Sequence, residues 1–126
     1  MNVPDDLRYT ADHEWARLDH GRVVVGITDY AQDALGDVVF VQLPEPSTTV
    51  KAGVSFSEVE STKSVSDIYA PLDGTVVEVN VELVDAPQKL NEDCYGEGWI
   101  CVIEPSDPKA FDGLLDAEAY RTLIES

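Results

Sequence analysis

Cations are scarce in this chain: eight lysines and arginines stand against 25 aspartates and glutamates in 126 residues, a formal net charge of −17 at pH 7. A surface that acidic repels phosphate backbones and anionic lipid, so nucleic-acid and membrane-surface roles are excluded from the expected functions. No apolar run approaches the ~20 residues of a membrane-spanning helix. Only two cysteines are present, Cys94 and Cys101, too few for a disulfide scaffold and not at C-x-x-C spacing. The two histidines, His13 and His20, fall far from the cysteines, so no zinc-type ligand set is expected. Neither a G-x-S-x-G elbow, a G-x-G-x-x-G turn nor a phosphate-binding loop occurs, and nothing in the chain announces an enzyme. Residues 1–6 have no basic start and no apolar stretch, which is unlike a signal or transit peptide. A bacterial cytoplasmic location and a monomer kept apart by its charge are the expectations.

What is present suits one ordinary core. Hydrophobic residues make up 44% and charged residues 26%, and no linker divides residues 1–126, so a single domain is expected. The β-branched runs 23–25, 38–41, 54–59 and 76–81 are bounded by Gly, Pro, Asn and Asp and read as strands of a sandwich or barrel. Two helices are predicted. Residues 29–35 open on Asp29 with Gln32 three positions on and stop before Gly36. Residues 116–125 open at Asp116, with Ala119, Tyr120, Leu123 and Ile124 able to form one apolar face. A helical extension covers about 106–126, with a short turn near 109–114. The segments 36–41 and 74–79, both G-x-V-V-x-V, lie 38 residues apart and suggest two similar β halves.

The segment 54–71 would join those halves as a hairpin with Ser61-Thr62-Lys63-Ser64 at its middle. Lys63 is one of four lysines, flanked by small polar residues, and an amine at such a tip is open to an enzyme. A lysine in a turn also blunts a sheet edge or keeps a tip soluble, and the residues alone do not choose between these roles.

A wider pattern chooses. Two β halves meeting at an exposed lysine are the plan of lipoyl and biotinyl carriers. The segments 9–15 (YTADHEW), 26–32 (GITDYAQ), 35–44 (LGDVVFVQLP), 59–67 (VESTKSVSD), 69–71, 74–80, 95–99 (YGEGW) and 116–120 follow one another in a recognisable order. Together they resemble the glycine cleavage H-protein family of lipoyl carriers over nearly the whole chain. The resemblance implies a flattened barrel-sandwich hybrid of two antiparallel sheets, with helical additions and lipoic acid joined in an amide to Lys63. Biotinyl carriers usually set methionines on both sides of their lysine, and the only methionine here is Met1. Lipoyl domains of 2-oxoacid dehydrogenases are typically shorter and lack the segments 13–15 and 95–99.

By the same resemblance the chain is a carrier, not an enzyme. It would take an aminomethyl group from glycine decarboxylase (P protein) to an aminomethyltransferase (T protein), and electrons to dihydrolipoamide dehydrogenase (L protein). A lipoate ligase or lipoyl/octanoyl transferase would load it. Glu14 is implied to line the groove that shelters the loaded arm, with Asp67 as a second candidate, since a cationic aminomethyl nitrogen suits a partly desolvated carboxylate. Glu60, with Glu58, precedes Lys63 and is the candidate for recognition by the modifying enzyme. The family usually has proline where this chain has Cys94. An alternative keeps Lys63 modified but makes the chain a relay that supplies lipoyl groups to 2-oxoacid dehydrogenases. A third reading leaves Lys63 bare in a β-rich interaction module.

Overall fold

The computed structural model describes residues 1–125. Among the described residues nine strands form two antiparallel sheets. Strands β1 (Arg8–Tyr9), β2 (Glu14–Asp19), β3 (Arg22–Ile27), β9 (Cys101–Pro105), β8 (Gly74–Val79) and β5 (Thr49–Val50) lie side by side in that order in one sheet. The second contains β4 (Val38–Gln42), β6 (Ser55–Ser61) and β7 (Val65–Tyr69), with β6 in the middle. The sheets pack face to face through Val23, Val25, Ile27, Val76, Cys101 and Ile103 on one side and Val38, Val41, Val59 and Ile68 on the other.

The larger sheet is also covered on its back. Val24 and Val102 alternate to the outer face and meet Trp15, Tyr9 and Tyr120 in a second apolar cluster. A sheet buried on both faces needs no polar alternation, so β3 reads as the nearly unbroken apolar run Val23-Val24-Val25-Gly26-Ile27. The cover includes the C-terminal helix α4 (Ala117–Glu125), whose Tyr120 ring stacks on Tyr9 at 4.6 Å between centroids. That helix starts one residue after Asp116, whose carboxylate accepts from the Ala119 N–H at 2.8 Å. Before it, a 3-10 turn spans Pro108–Gly113.

Helix α1 (Asp29–Leu35) joins the two sheets between β3 and β4. Its cap is Thr28, whose hydroxyl accepts from the Ala31 N–H, rather than Asp29, which instead receives the Gln32 amide. A hydroxyl at Ncap satisfies one of the orphan amides, so the cap lies one residue earlier than the acidic start suggested. Two short helical turns, α2 (Glu82–Asp85) and α3 (Lys89–Glu92), bring Leu83 and Leu90 into the core. Of the matched segments 38 residues apart, the first becomes β4 in the smaller sheet and the second β8 in the larger. Lys51 and Lys89 share the offset but not the structure: Lys51 follows β5, and Lys89 lies in α3.

Trp15 ties the back cluster together. It is fully buried, and its indole Nε1–H donates to the Cys94 carbonyl at 2.8 Å. Gly26 lies opposite Trp15 in the β2–β3 pair, and a Cβ there would sit 2.6 Å from the indole ring. Neither partner can yield, because the ring is hydrogen-bonded and enclosed. Gly26→Ala is therefore expected to destabilise the fold by about 1–3 kcal/mol, read as a lowered urea midpoint. An unchanged midpoint would show that the Trp15 seat is soft.

Candidate functional site

Lys63 sits on the tip of the β6–β7 hairpin. The last paired residues are Glu60 and Val65, and the loop between them is closed by the Ser61 N–H donating to the Ser64 carbonyl at 2.8 Å. Ser61 is buried, and its hydroxyl oxygen accepts from the N–H groups of Lys63 and Ser64, each at 3.1 Å. A serine side chain thus does what Asn-Gly does in a shorter turn, which is why this tip lacks the usual hairpin residues. The tip is also fastened from outside: the Thr62 N–H donates to the Asp37 carbonyl at 3.1 Å, in the loop between α1 and β4.

That loop is held in turn by Asn91 of α3. Its Nδ2 donates to the Gly36 carbonyl at 2.8 Å and to Gln32 Oε1 at 3.2 Å, and its Oδ1 accepts from the Val38 N–H at 2.9 Å. Gly36 ends α1 with φ +79°, and a Cβ on it would lie 2.8 Å from Lys63 Cε. The lysine stem therefore lies over a glycine, where nothing projects to obstruct it. Among the described residues Lys63 is exposed and has no carboxylate within ion-pair distance.

Beside the tip runs a groove of about 240 Å³. One wall is α1, through Tyr30, Ala31, Ala34 and Leu35; the other is the free edge of β7, from Ser64 to Ile68. Ile27 contributes from β3, and Asp12 and His13 close one end. Asp67 lines this groove, and its carboxylate accepts from the Ser55 hydroxyl at 3.1 Å across the hairpin.

Glu14 is placed differently. It is buried and lines an adjoining pocket of about 240 Å³ with Thr10, Ala70, Pro71 and Leu115; the two hollows share Asp12. Thr10 Oγ1 accepts from the Asp12 and Glu14 N–H groups, so its hydrogen goes to Glu14 Oε1, at 2.6 Å. The other oxygen, Oε2, accepts from the Tyr69 N–H at 3.4 Å. One carboxylate thus links β2 of the larger sheet to the end of β7 in the smaller. Burial raises its pKa from 4.5 to about 7, against the lowering effect of those two donors.

Glu60 lies on neither hollow. It is exposed on the outer face of the smaller sheet, between Phe40 of β4 and Val65 of β7. The bulge between Val38 and Phe40 turns both Val39 and Phe40 outward, each about half exposed. The row Phe40–Glu60–Val65 therefore forms an apolar and acidic strip next to the tip.

The sequence reading did not single out His13, Tyr30, Ala34 and Ser66 as groove residues. His13 and Tyr30 stand inside the matched segments, but only the fold brings α1 against the edge of β7. The Cys94 thiol is buried, and desolvation pushes its pKa up to about 12, so it is not a reactive neighbour for a dithiol. No cluster able to hold a metal occurs among the described residues.

Comparison with known proteins decides what this geometry belongs to. The family model for the glycine cleavage H-protein matches residues 7–126. The chain belongs to that family. It is 57% identical over 125 residues to the glycine cleavage system H protein of Anaeromyxobacter sp. (strain K), covering 99% of this chain and 98% of that protein. It is 58% identical over 130 residues to the one from Mycobacterium avium (strain 104), covering 98% of each. The crystal structure of a glycine cleavage system H protein from Mycobacterium marinum superposes with a TM-score of 0.90 at 48% identity, covering 98% of this chain and all of that one. Members of the glycine cleavage H-protein family are non-catalytic lipoyl carriers, and the two packed antiparallel sheets with short helices are the carrier fold.

The Glu14 environment has a measurable consequence. The folded chain binds this proton more tightly than the unfolded chain. This group therefore costs stability as pH rises from 4.5 to about 7, with the full penalty present above that window. Glu14→Gln is expected to gain on wild type by about 2–3 kcal/mol between pH 4.5 and pH 8 in denaturant titrations. A constant difference across that range would contradict the buried, proton-retaining carboxylate.

Proposed function

We propose that the chain carries a lipoyl group in amide linkage to Lys63. On this reading it shuttles an aminomethyl group from a glycine decarboxylase to an aminomethyltransferase, and electrons to a dihydrolipoamide dehydrogenase. The observation that carries the reading is the pairing of an exposed lysine on a pinned tip, without an ion pair among the described residues, with a sheltered groove beside it. The site suits the group. The tip presents the amine to a modifying enzyme, and the lysine stem lies over a residue without a side chain. The groove offers apolar surface in Ile27, Ala34 and Leu35, and carboxylates in Asp12 and Asp67. When bound, a lipoyl group supplies a dithiolane whose sulfurs accept the one-carbon unit and afterwards yield electrons.

The chain's own residues perform the rest. The Ser61 turn and the Thr62–Asp37 bond fix the direction in which the arm leaves the surface. Tethering then replaces diffusion with an effective concentration of roughly millimolar order at each partner. The α1–β7 groove excludes water from a withdrawn arm. Asp67, held by Ser55, and Glu14, partly ionised at neutral pH, supply negative charge for a cationic aminomethyl nitrogen. Glu60, between Phe40 and Val65, is offered to a lipoate ligase or lipoyl/octanoyl transferase.

Incubation with a lipoate ligase, ATP and lipoate should add one lipoyl group at Lys63, detected by intact mass and peptide mapping. Lys63→Arg should remove it. Modification elsewhere, or none while a control domain is lipoylated, would end this reading. In the loaded chain, Asp67→Ala and Glu14→Ala should each accept lipoate normally yet shorten the lifetime of the bound aminomethyl group several-fold. Unchanged release would take those carboxylates out of the mechanism.

A further inference from the structure

A chain of three side chains runs from the buried back of the larger sheet to the end of the groove. Thr28 Oγ1 and the Tyr120 hydroxyl are 2.7 Å apart, and the Tyr120 hydroxyl is 2.8 Å from His13 Nδ1. His13 lines the groove, and its ring stacks on Tyr30 at 4.5 Å between centroids. Thr28 and Tyr120 are completely buried, at 0% exposure each.

The direction of the hydrogens follows from satisfying every group. Thr28 Oγ1 already accepts from the Ala31 N–H that it caps, so its own hydrogen needs an acceptor. The Tyr120 oxygen is the acceptor within reach. Tyr120 in turn has one hydrogen to give, and His13 Nδ1 is the atom that takes it. The reverse order would leave the Thr28 hydrogen without an acceptor on a side chain that is fully buried, which disfavours it roughly tenfold or more in population. His13 Nδ1 is then an acceptor, and the neutral ring carries its proton on Nε2.

We propose that His13 is a positioning residue of the arm groove: the Thr28–Tyr120–His13 relay holds its ring neutral with the hydrogen on Nε2, leaving a fixed N–H donor for an acceptor atom of the acylated Lys63. This rests on the reading that the arm withdraws into this groove. Nε2 has no partner in the protein among the described residues. A neutral donor is what the cargo requires, because an imidazolium would repel a cationic aminomethyl nitrogen.

The surroundings of the ring agree. Asp12 next to it favours the charged ring; Asp67 faces it across the groove, Glu14 follows it in the chain, and Tyr30 and Tyr120 pack on it from α1 and α4. Burial outweighs the Asp12 charge and lowers the His13 pKa below its ordinary value. The phenol of Tyr120 is pushed up to about 12 and keeps its proton. Protonation of the ring in acid would put a hydrogen on Nδ1, facing the Tyr120 O–H, and break the relay.

Nitrogen-15 spectra of the histidine side chains in the unmodified chain at neutral pH test the tautomer directly. His13 should show a protonated Nε2 and a bare Nδ1, and Tyr120→Phe should shift the population toward Nδ1–H. A predominant Nδ1–H form in the wild type would overturn the proposal. The second arm uses the lipoylated, aminomethyl-loaded chain. His13 has φ +70°, a conformation that asparagine tolerates, so His13→Asn keeps the backbone but shortens the reach. It should speed release of the aminomethyl group several-fold, and His13→Gln should restore part of the retention. Ala34→Trp, which fills the groove, serves as the reference. Fast release from Ala34→Trp with unchanged release from His13→Asn would overturn the His13 role alone. Unchanged release from both would remove the groove reading and this proposal with it.

Discussion

The loop between α1 and β4 is the point on which the functional end of the molecule hangs. Asn91 grips it at the Gly36 carbonyl and holds its two flanks at Gln32 and Val38, and the Thr62 N–H fastens the lysine-bearing tip to the Asp37 carbonyl. The same loop contributes Gly36, over which the lysine stem lies. Without it the tip beyond Ser61 would be held only by the Ser61 turn, since the β4–β6 and β6–β7 pairings stop at Ser61 and Val65. A carrier whose arm must enter several different active sites gains from a rigid base, since only the arm then has to be ordered at each encounter.

Two consecutive residues, the half-buried His13 and the buried Glu14, give the site its electrostatic character, and in both desolvation favours the neutral form. Burial makes Glu14 retain its proton to about pH 7 and keeps His13 neutral below the ordinary histidine range. Both are fastened by hydroxyls, Thr10 for Glu14 and Tyr120 for His13. The back cluster is therefore part of the site. Tyr120 belongs to α4, packs on Tyr9, and reaches through the relay to the groove, so the C-terminal helix both covers the sheet and orients a groove residue.

Much of this was legible in the residues. The β-branched runs fell where strands form, α1 and α4 fell within a residue of their observed bounds, and the ordered motifs pointed to the family. Other features were not legible, for physical reasons. The turn at Ser61–Ser64 uses a buried serine hydroxyl in place of a glycine, and no composition rule reports that. The Thr28 cap was hidden by the acidic residue after it. The 38-residue match between β4 and β8 placed the strands in different sheets. His13 and Tyr30 became groove residues only because α1 crosses to the smaller sheet, a contact between distant segments. The resemblance singled out Glu14 among 25 acids, but its burial and its place in an adjoining pocket were not legible in the residues.

The central claim is that Lys63 carries an arm which leaves the tip and withdraws between α1 and β7. Backbone amide shifts compared between the unmodified, lipoylated and aminomethyl-loaded chains would test it most directly. Perturbations on loading should concentrate at Asp12, His13, Tyr30, Ala34, Ser66 and Asp67, with the far ends of both sheets unmoved. Shifts confined to the hairpin tip, or centred on another hollow such as that beneath Pro108–Gly113, would contradict it.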